Sequence, residues 1–373
     1  MRLHTIKAYM MKEFKELYRT KLLVMVYLMP SMILILFGYG IRLDVSHARV
    51  LILDNDKTQL SQMLCSKFEH TKYFNTQESH MSEAEALRKI KQAKIDAVII
   101  IPASFERNLL KGVKSDLGVF VDAAFPTRGT TIETYIQGTV LSLVSEVARE
   151  QGIVEHGTIN INSRNLFNQA MRDEDAIVPG LIGLVLLVAP AILAALLIVK
   201  EKEKGTIFNF YASALSKNEF LAAKLFPVFI LHSLNIFILF LLAVYLFDVP
   251  FRGSFFLYWL ASELYILVSI VLGMLISVIT KKQIVAVVLT VIITIIPGFL
   301  YSGILMPISS MDGASQFEAH IFPVMYYNHI IYDTFLIGQG FASQKNILYL
   351  FILLLFIFIL FIAGKLLLKK EMK

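Results

Sequence analysis

Six apolar runs, each about as long as a bilayer is thick, restrict this chain to a membrane architecture. They cover Leu22–Ile41, Val178–Val199, Leu225–Phe247, Phe255–Thr280, Ile284–Ser302 and Ile347–Leu368. In lipid a backbone must satisfy its own N–H and C=O groups, so runs of this length are expected to be helices. Of the 373 residues, 56% are hydrophobic and 17% charged. Soluble domains carry about 45–50% and about 25%, so the apolar surplus has to face something other than water. The first run exceeds the ~7–15-residue core of a signal peptide and no small-residue cleavage site follows it, so it reads as an uncleaved anchor. Residues 42–175 interrupt the pattern before the other five runs. The expected fold class is an α-helical polytopic membrane protein with six transmembrane helices and an inserted α/β extracytoplasmic domain.

A net charge of +6 fits either a nucleic-acid partner or basic flanks retained on one side of a membrane, and its distribution favours the membrane. Arg2, Lys7, Lys12, Lys15, Arg19 and Lys21 precede the first run. Lys200, Lys202, Lys204, Lys217 and Lys224 lie between the second and third, Lys281 and Lys282 between the fourth and fifth. Lys365, Lys369, Lys370 and Lys373 close the chain. On the opposite side the loop 248–254 holds only Arg252, and residues 303–344 hold neither Lys nor Arg. The positive-inside rule therefore predicts both termini in the cytoplasm and no nucleic-acid role. Cys65 is the single cysteine, which excludes an intramolecular disulfide and a cysteine metal cluster.

Residues 1–21 read as a cytoplasmic amphipathic helix. Ile6, Met10, Phe14 and Leu17 share a stripe opposite Lys12, Lys15 and Arg19, as in a helix lying on the inner leaflet; a plain basic flank is the alternative. In the inserted domain, Val50–Asp54, Ala97–Ile101 and Leu117–Val121 read as strands. Helices are expected through Leu60, Leu64 and Phe68, over Ser82–Lys94, and over Thr131–Glu150. The last would carry Ile132, Tyr135, Ile136, Val140, Leu143, Val144 and Val147 on its apolar side. Alternation of strands and helices implies a central sheet.

The chain contains no glycine-rich phosphate loop, no H-E-x-x-H and no G-x-S-x-G, so no catalytic residue, metal site or cofactor is assigned to it. Glu263 in the fourth run, and His232 and Asn235 in the third, are the candidates for a substrate pathway, because polar groups in a span cost about 2.5–3.5 kcal/mol on insertion scales. The alternatives are snorkelling or pairing for Glu263, and helix–helix adhesion for His232 and Asn235. Pro30, Pro179, Pro190 and Pro297 interrupt spans and need neighbours to satisfy the freed carbonyls. Residues 303–345 are too polar and Gly/Pro-punctuated to cross, and read as a helical hairpin dipping into the outer leaflet.

The most specific segment is the loop 200–224. Lys200-Glu-Lys-Glu-Lys-Gly-Thr206 ends a span in alternating charges; Ile207, Phe208, Phe210, Tyr211 and Leu215 follow as a short apolar segment. Ser216-Lys-Asn-Glu219 then forms a capping box that restarts a helix. Such a segment suits a groove on a soluble partner, or equally a membrane surface.

At this loop the sequence resembles the ABC-2 type exporter permeases, in the multidrug-efflux-like subgroup with a large insertion after the first helix. The family's E-x-E-x-G-T turn is matched by Glu201, Glu203, Gly205 and Thr206. Leu53-Asp-Asn-Asp-Lys57, Ala97-Val-Ile-Ile-Ile-Pro-Ala-Ser-Phe105 and Val121-Asp-Ala-Ala-Phe-Pro126 resemble its inserted-domain motifs. Pro323-Val-Met-Tyr-Tyr327 with Gly338 and Gly340 resembles its turn before the last helix. The family often has a proline after the coupling helix, where this chain has Ser213-Ala-Leu-Ser216.

The resemblance covers nearly the whole chain and implies a mechanism. A separate cytosolic ATPase, carrying ATP and Mg, would bind at Glu201, Glu203, Gly205, Thr206, Ile207, Phe208, Phe210 and Tyr211. Two permeases, identical or sister chains, would assemble in the bacterial inner membrane. A periplasmic adaptor and an outer-membrane channel are further implied partners, with an amphiphilic drug-like or lipid-like cargo moving outward. A membrane-anchored receptor or scaffold that transports nothing is the alternative. An ion-coupled transporter ranks last, since it would need several buried ionisable residues, for which only Glu263 and His232 are available, and no internal repeat is visible.

Overall fold

The computed structural model describes residues 3–20, 22–41, 47–92, 94–111, 113, 115–122, 126–150, 172–212 and 215–368. Outside them lie the flanking Arg2, Lys21, Lys369, Lys370 and Lys373, Ala123–Phe125 of the third inserted-domain motif, and Ser213–Ala214 after the expected coupling helix. The chain divides into two compact units, residues 42–163, and residues 1–41 together with 164–373. The larger unit opens with α1 (Leu3–Arg19) and α2 (Leu22–Gly40), which meet at a 63° bend.

The smaller unit runs β1 (Ala48–Asp54), α3 (Gln59–Glu69), β2 (Phe74–Glu78), α4 (Glu83–Lys91), β3 (Ala97–Ile101), α5 (Phe105–Leu110), β4 (Gly118–Val121) and α6 (Pro126–Glu150). Its sheet has the order β2-β1-β3-β4, with β1 parallel to both neighbours and β4 antiparallel to β3. The register sets Val50 opposite Ala97 and Ile52 opposite Ile99. Because side chains alternate across a strand, Val50 and Ile52 face one core with Leu64, Phe68, Ile132 and Ile136. Leu51 and Leu53 face the other with Ala86 and Val98. Two covered faces explain why β1 is apolar without a break. On α6, Ile132, Ile136, Leu143 and Val147 are buried as the periodicity predicts, but Val144 is exposed because the buried stripe is too narrow to include it.

Carboxylates lock this unit at both ends of its central strands. Asp54 accepts from the backbone N–H of Asp56 and of Lys57 at 2.9 and 3.1 Å, and Ser61 Oγ donates to it at 2.7 Å. Asp56 accepts from the Glu106 N–H at 2.9 Å, and Glu106 in return accepts from the Leu60 N–H at 3.3 Å. The Asp-Asn-Asp motif thus satisfies N–H groups in the turn before α3 and at the start of α5, and Glu106 satisfies one at the start of α3. It also fills with the chain's own negative charge the crevice where sheets of this kind hold anionic ligands. At the other end, Asp96 accepts from the backbone and guanidinium of Arg49 at 2.8 and 3.0 Å and faces Arg128 at 3.4 Å.

The larger unit continues with α7 (Asp173–Glu203), α8 (Ile207–Ala212), α9 (Lys217–Leu241), α10 (Phe255–Ile279), α11 (Gln283–Leu300), α12 (Gly313–Ala319), α13 (Pro323–Tyr332) and α14 (Gln344–Leu367). Among the described residues five helices are long and apolar enough to cross a membrane, or six if the bent α1–α2 pair counts as one span. The protein is a helical polytopic membrane protein. Its α7 exceeds the expected run at both ends, since three acids in its first turn and lysines in its last suit the helix dipole.

The most enclosed of the five spans, α7 packs against α2, α9, α10, α11 and α13. The crossing with α10 is tight: a Cβ on Gly273 would lie 2.1 Å from the Ala191 carbonyl oxygen. Asn328 of α13 seats over Gly183 and donates to the Ser302 carbonyl at 3.0 Å. Residues 303–345 hold α12 and α13; α13 is largely enclosed by protein, with Tyr327 stacked on Tyr265 at 4.0 Å and hydrogen-bonded to Ser262 at 2.8 Å.

Candidate coupling turn and membrane cavity

The turn after α7 is built by charge pairing. Gly205 adopts φ +72°, the left-handed conformation that glycine takes without strain, and reverses the chain into α8. Lys224, near the start of α9, is buried and ion-pairs with Glu13 of α1 at 2.7 Å and with Glu201 at 2.6 Å. Lys12 approaches Glu201 at 3.7 Å, and Thr206 Oγ1 donates to it. Glu16 pairs with Lys200. Three acids and three lysines therefore neutralise one another where α1, α7 and α9 meet. The N-terminal helix is accordingly not only a lipid-facing element: Glu13 and Leu17 turn into protein against α9, while Lys12, Lys15 and Arg19 stay exposed.

The alternating charges on either side of Glu201 have separate partners. Lys202 donates to the carbonyls of Val278 and Thr280 at 2.7 and 3.2 Å, closing the C-terminus of α10. Glu203 accepts from the Gln283 backbone and side chain, both at 2.9 Å, at the first residue of α11. The signs match the two helix dipoles. On α8, Ile207 and Phe210 point inward, Phe210 stacking on Phe220 at 4.1 Å, while Phe208 is 54% exposed and Tyr211 half-buried. Ser216 and Glu219 form the expected capping box.

The candidate pathway residues fall into two places. Pro30 has no N–H, which leaves the Val26 carbonyl of α2 without its helical donor. Asn235 of α9 supplies one through Nδ2 at 2.9 Å, and the same amide nitrogen contacts His232 Nδ1 at 3.1 Å. Glu263 is held on another side of α9, by Ser233. His232 and Asn235 thus form one group facing α2, and Glu263 does not join it. Between α2, α7, α9 and α11 lies a cavity of about 310 Å³ with His232 in its wall. At the C-terminal ends of α2 and α11, Phe37 and Phe299 meet edge-to-face at 6.0 Å.

The sequence model of the ABC-2 family transporter protein family matches residues 21–364. The chain belongs to the ABC-2 transporter family. Among similar proteins, the probable multidrug ABC transporter permease YbhS of Escherichia coli is 27% identical over 92% of each chain. The probable multidrug ABC transporter permease YbhR of Escherichia coli is 24% identical over 89% of this chain and 90% of its own. The inner membrane transport permease YhhJ of Escherichia coli is 22% identical over 79% and 78%.

In this ABC-2 chain the partners of the turn include Glu13, Lys202, Lys224 and Gln283, which no sequence motif marks as such. One signal was available: Glu13 falls on the stripe of Met10, Phe14 and Leu17, an acid on an apolar face that calls for a buried cation.

Proposed function

We propose that this chain is the membrane subunit of an ATP-driven exporter that moves an amphiphilic, drug-like or lipid-like substrate outward. ATP with Mg is hydrolysed by a separate cytosolic subunit, and two permeases, identical or sister chains, form the pathway. Both termini lie in the cytoplasm of a bacterial cell whose inner membrane holds the protein. The inserted α/β domain lies outside the cytoplasm, where a periplasmic adaptor leading to an outer-membrane channel would meet it. Family membership and the multidrug permease names of the relatives support this reading.

The observation that carries it is the division of labour in the turn. Glu201, Lys202 and Glu203 are engaged with α1, α9, α10 and α11, whereas Phe208 stands exposed on a helix anchored by Ile207 and Phe210. Glu201 and Glu203 act as couplers by holding the turn to the bundle, and Phe208 with Tyr211 makes the ATPase contact. From there α7, about 46 Å long at 1.5 Å per residue, carries displacement to the cavity wall. Phe208→Glu tests this: the variant is expected to fold and to lose the co-purified ATPase. An ATPase retained at wild-type stoichiometry, with substrate-stimulated hydrolysis unchanged, contradicts the docking role.

A further inference from the structure

The cavity between α2, α7, α9 and α11 has one chemical handle, and the contacts around it set its polarity step by step. Pro30 frees the Val26 carbonyl, and a carbonyl only accepts, so the Asn235 group that reaches it must be the NH₂ end. The same NH₂ faces His232 Nδ1, which must then be the acceptor. The imidazole proton consequently sits on Nε2. That nitrogen is buried and has no hydrogen-bond partner among the described residues. Every other side chain lining the cavity is apolar, among them Met29, Ile33, Val188 and Ile295. An unmet donor in an apolar wall favours a ligand that brings an acceptor.

We propose that this cavity binds an amphiphile with an apolar body and one hydrogen-bond acceptor, a carbonyl oxygen, taken by His232 Nε2–H when the ring turns from its buried position towards the cavity. In this proposal the ligand enters from the bilayer past Met25 and Met29, which line the cavity and are exposed on the surface of α2. Thioether side chains at that position accept varied shapes. The assignment deepens the exporter reading and rests on it for the direction of movement.

The test compares 1-tetralone with tetralin, two-ring probes alike in shape that differ in one carbonyl, titrated calorimetrically into the full chain in diether-lipid nanodiscs against empty discs. Wild type is expected to bind the ketone at least fivefold more tightly. His232→Leu should bring the two to parity, His232→Gln should keep part of the preference, and Ala189→Trp should weaken both by filling the cavity. Equal affinity in wild type, which needs no variant to fold, overturns the proposal, as does a ketone preference that survives His232→Leu. Repeating the titration in diester-lipid discs separates the sources. Weaker ketone binding there assigns the site to a lipid ester, and unchanged binding to an amphiphile from outside the lipid. Neither readout involves the ATPase, so a ketone preference in a chain that fails to couple overturns the exporter reading alone.

Discussion

The Lys224 ammonium sits between two carboxylates with almost no water around it. Removing one partner of a buried ion pair leaves a charge uncompensated, at a cost of about 3–5 kcal/mol. Lys224→Met is therefore expected to loosen α1 from α9, read as faster hydrogen exchange of α1 amides, and Glu13→Gln added to it should recover part of the loss. Unchanged exchange in the single variant would remove the pair from the account. Asp96 makes a second residue-scale prediction. Burial alone would raise its carboxyl, but hydrogen bonds from Arg49 and the charge of Arg128 outweigh burial and hold it below the usual carboxylate range. Its contribution is therefore full above the unfolded value of about 3.9 and is lost as pH falls through the lower, folded value. Asp96→Asn should flatten the acid dependence of β1 and β3 amide protection between pH 5 and that limit, and an unaltered profile would show that other carboxylates set it. Neither pairing was legible in the sequence, although Glu13 on an apolar stripe signalled a buried cation. Glu13 and Lys224 are 211 positions apart, and Asp96 precedes a strand whose pairing with Arg49 only the fold creates.

At the scale of elements, the α7–α10 crossing depends on a missing side chain. Gly273→Leu would drive carbon into the backbone at Ala191, and overpacking of this kind costs about 1–3 kcal/mol or more. A thermal midpoint equal to wild type in nanodiscs would show that the crossing is looser than described. The long elements were readable because lipid demands uninterrupted apolar runs, and β1 and β3 because both their faces are covered. Two short elements were not. The Phe-Asn-Thr-Gln-Glu sequence of β2 buries only Phe74 at the sheet edge, so it carries no alternation, and α5 is too short to show a helical period. The polar turn was readable as a motif, but its physical roles were not: Glu203 caps α11 from 80 residues away.

For the whole molecule, membrane orientation and the ATPase contact are linked claims, and the single cysteine makes both testable. In a Cys65→Ser background, Lys91→Cys is expected to react with a membrane-impermeant maleimide from outside intact cells, and Lys281→Cys only after the inner face is opened. The reverse pattern would invert the topology and place α8 away from any cytosolic subunit. The measurement closest to the central claim is cross-linking from Phe208→Cys and Phe210→Cys in the same background, with a short bifunctional thiol–amine reagent in native membranes. The exposed position is expected to capture a nucleotide-hydrolysing subunit in high yield, and the buried one, stacked on Phe220, to capture almost none. Failure of Phe208→Cys to capture such a subunit, or equal capture from both positions, would contradict the assignment of α8 as the coupling contact.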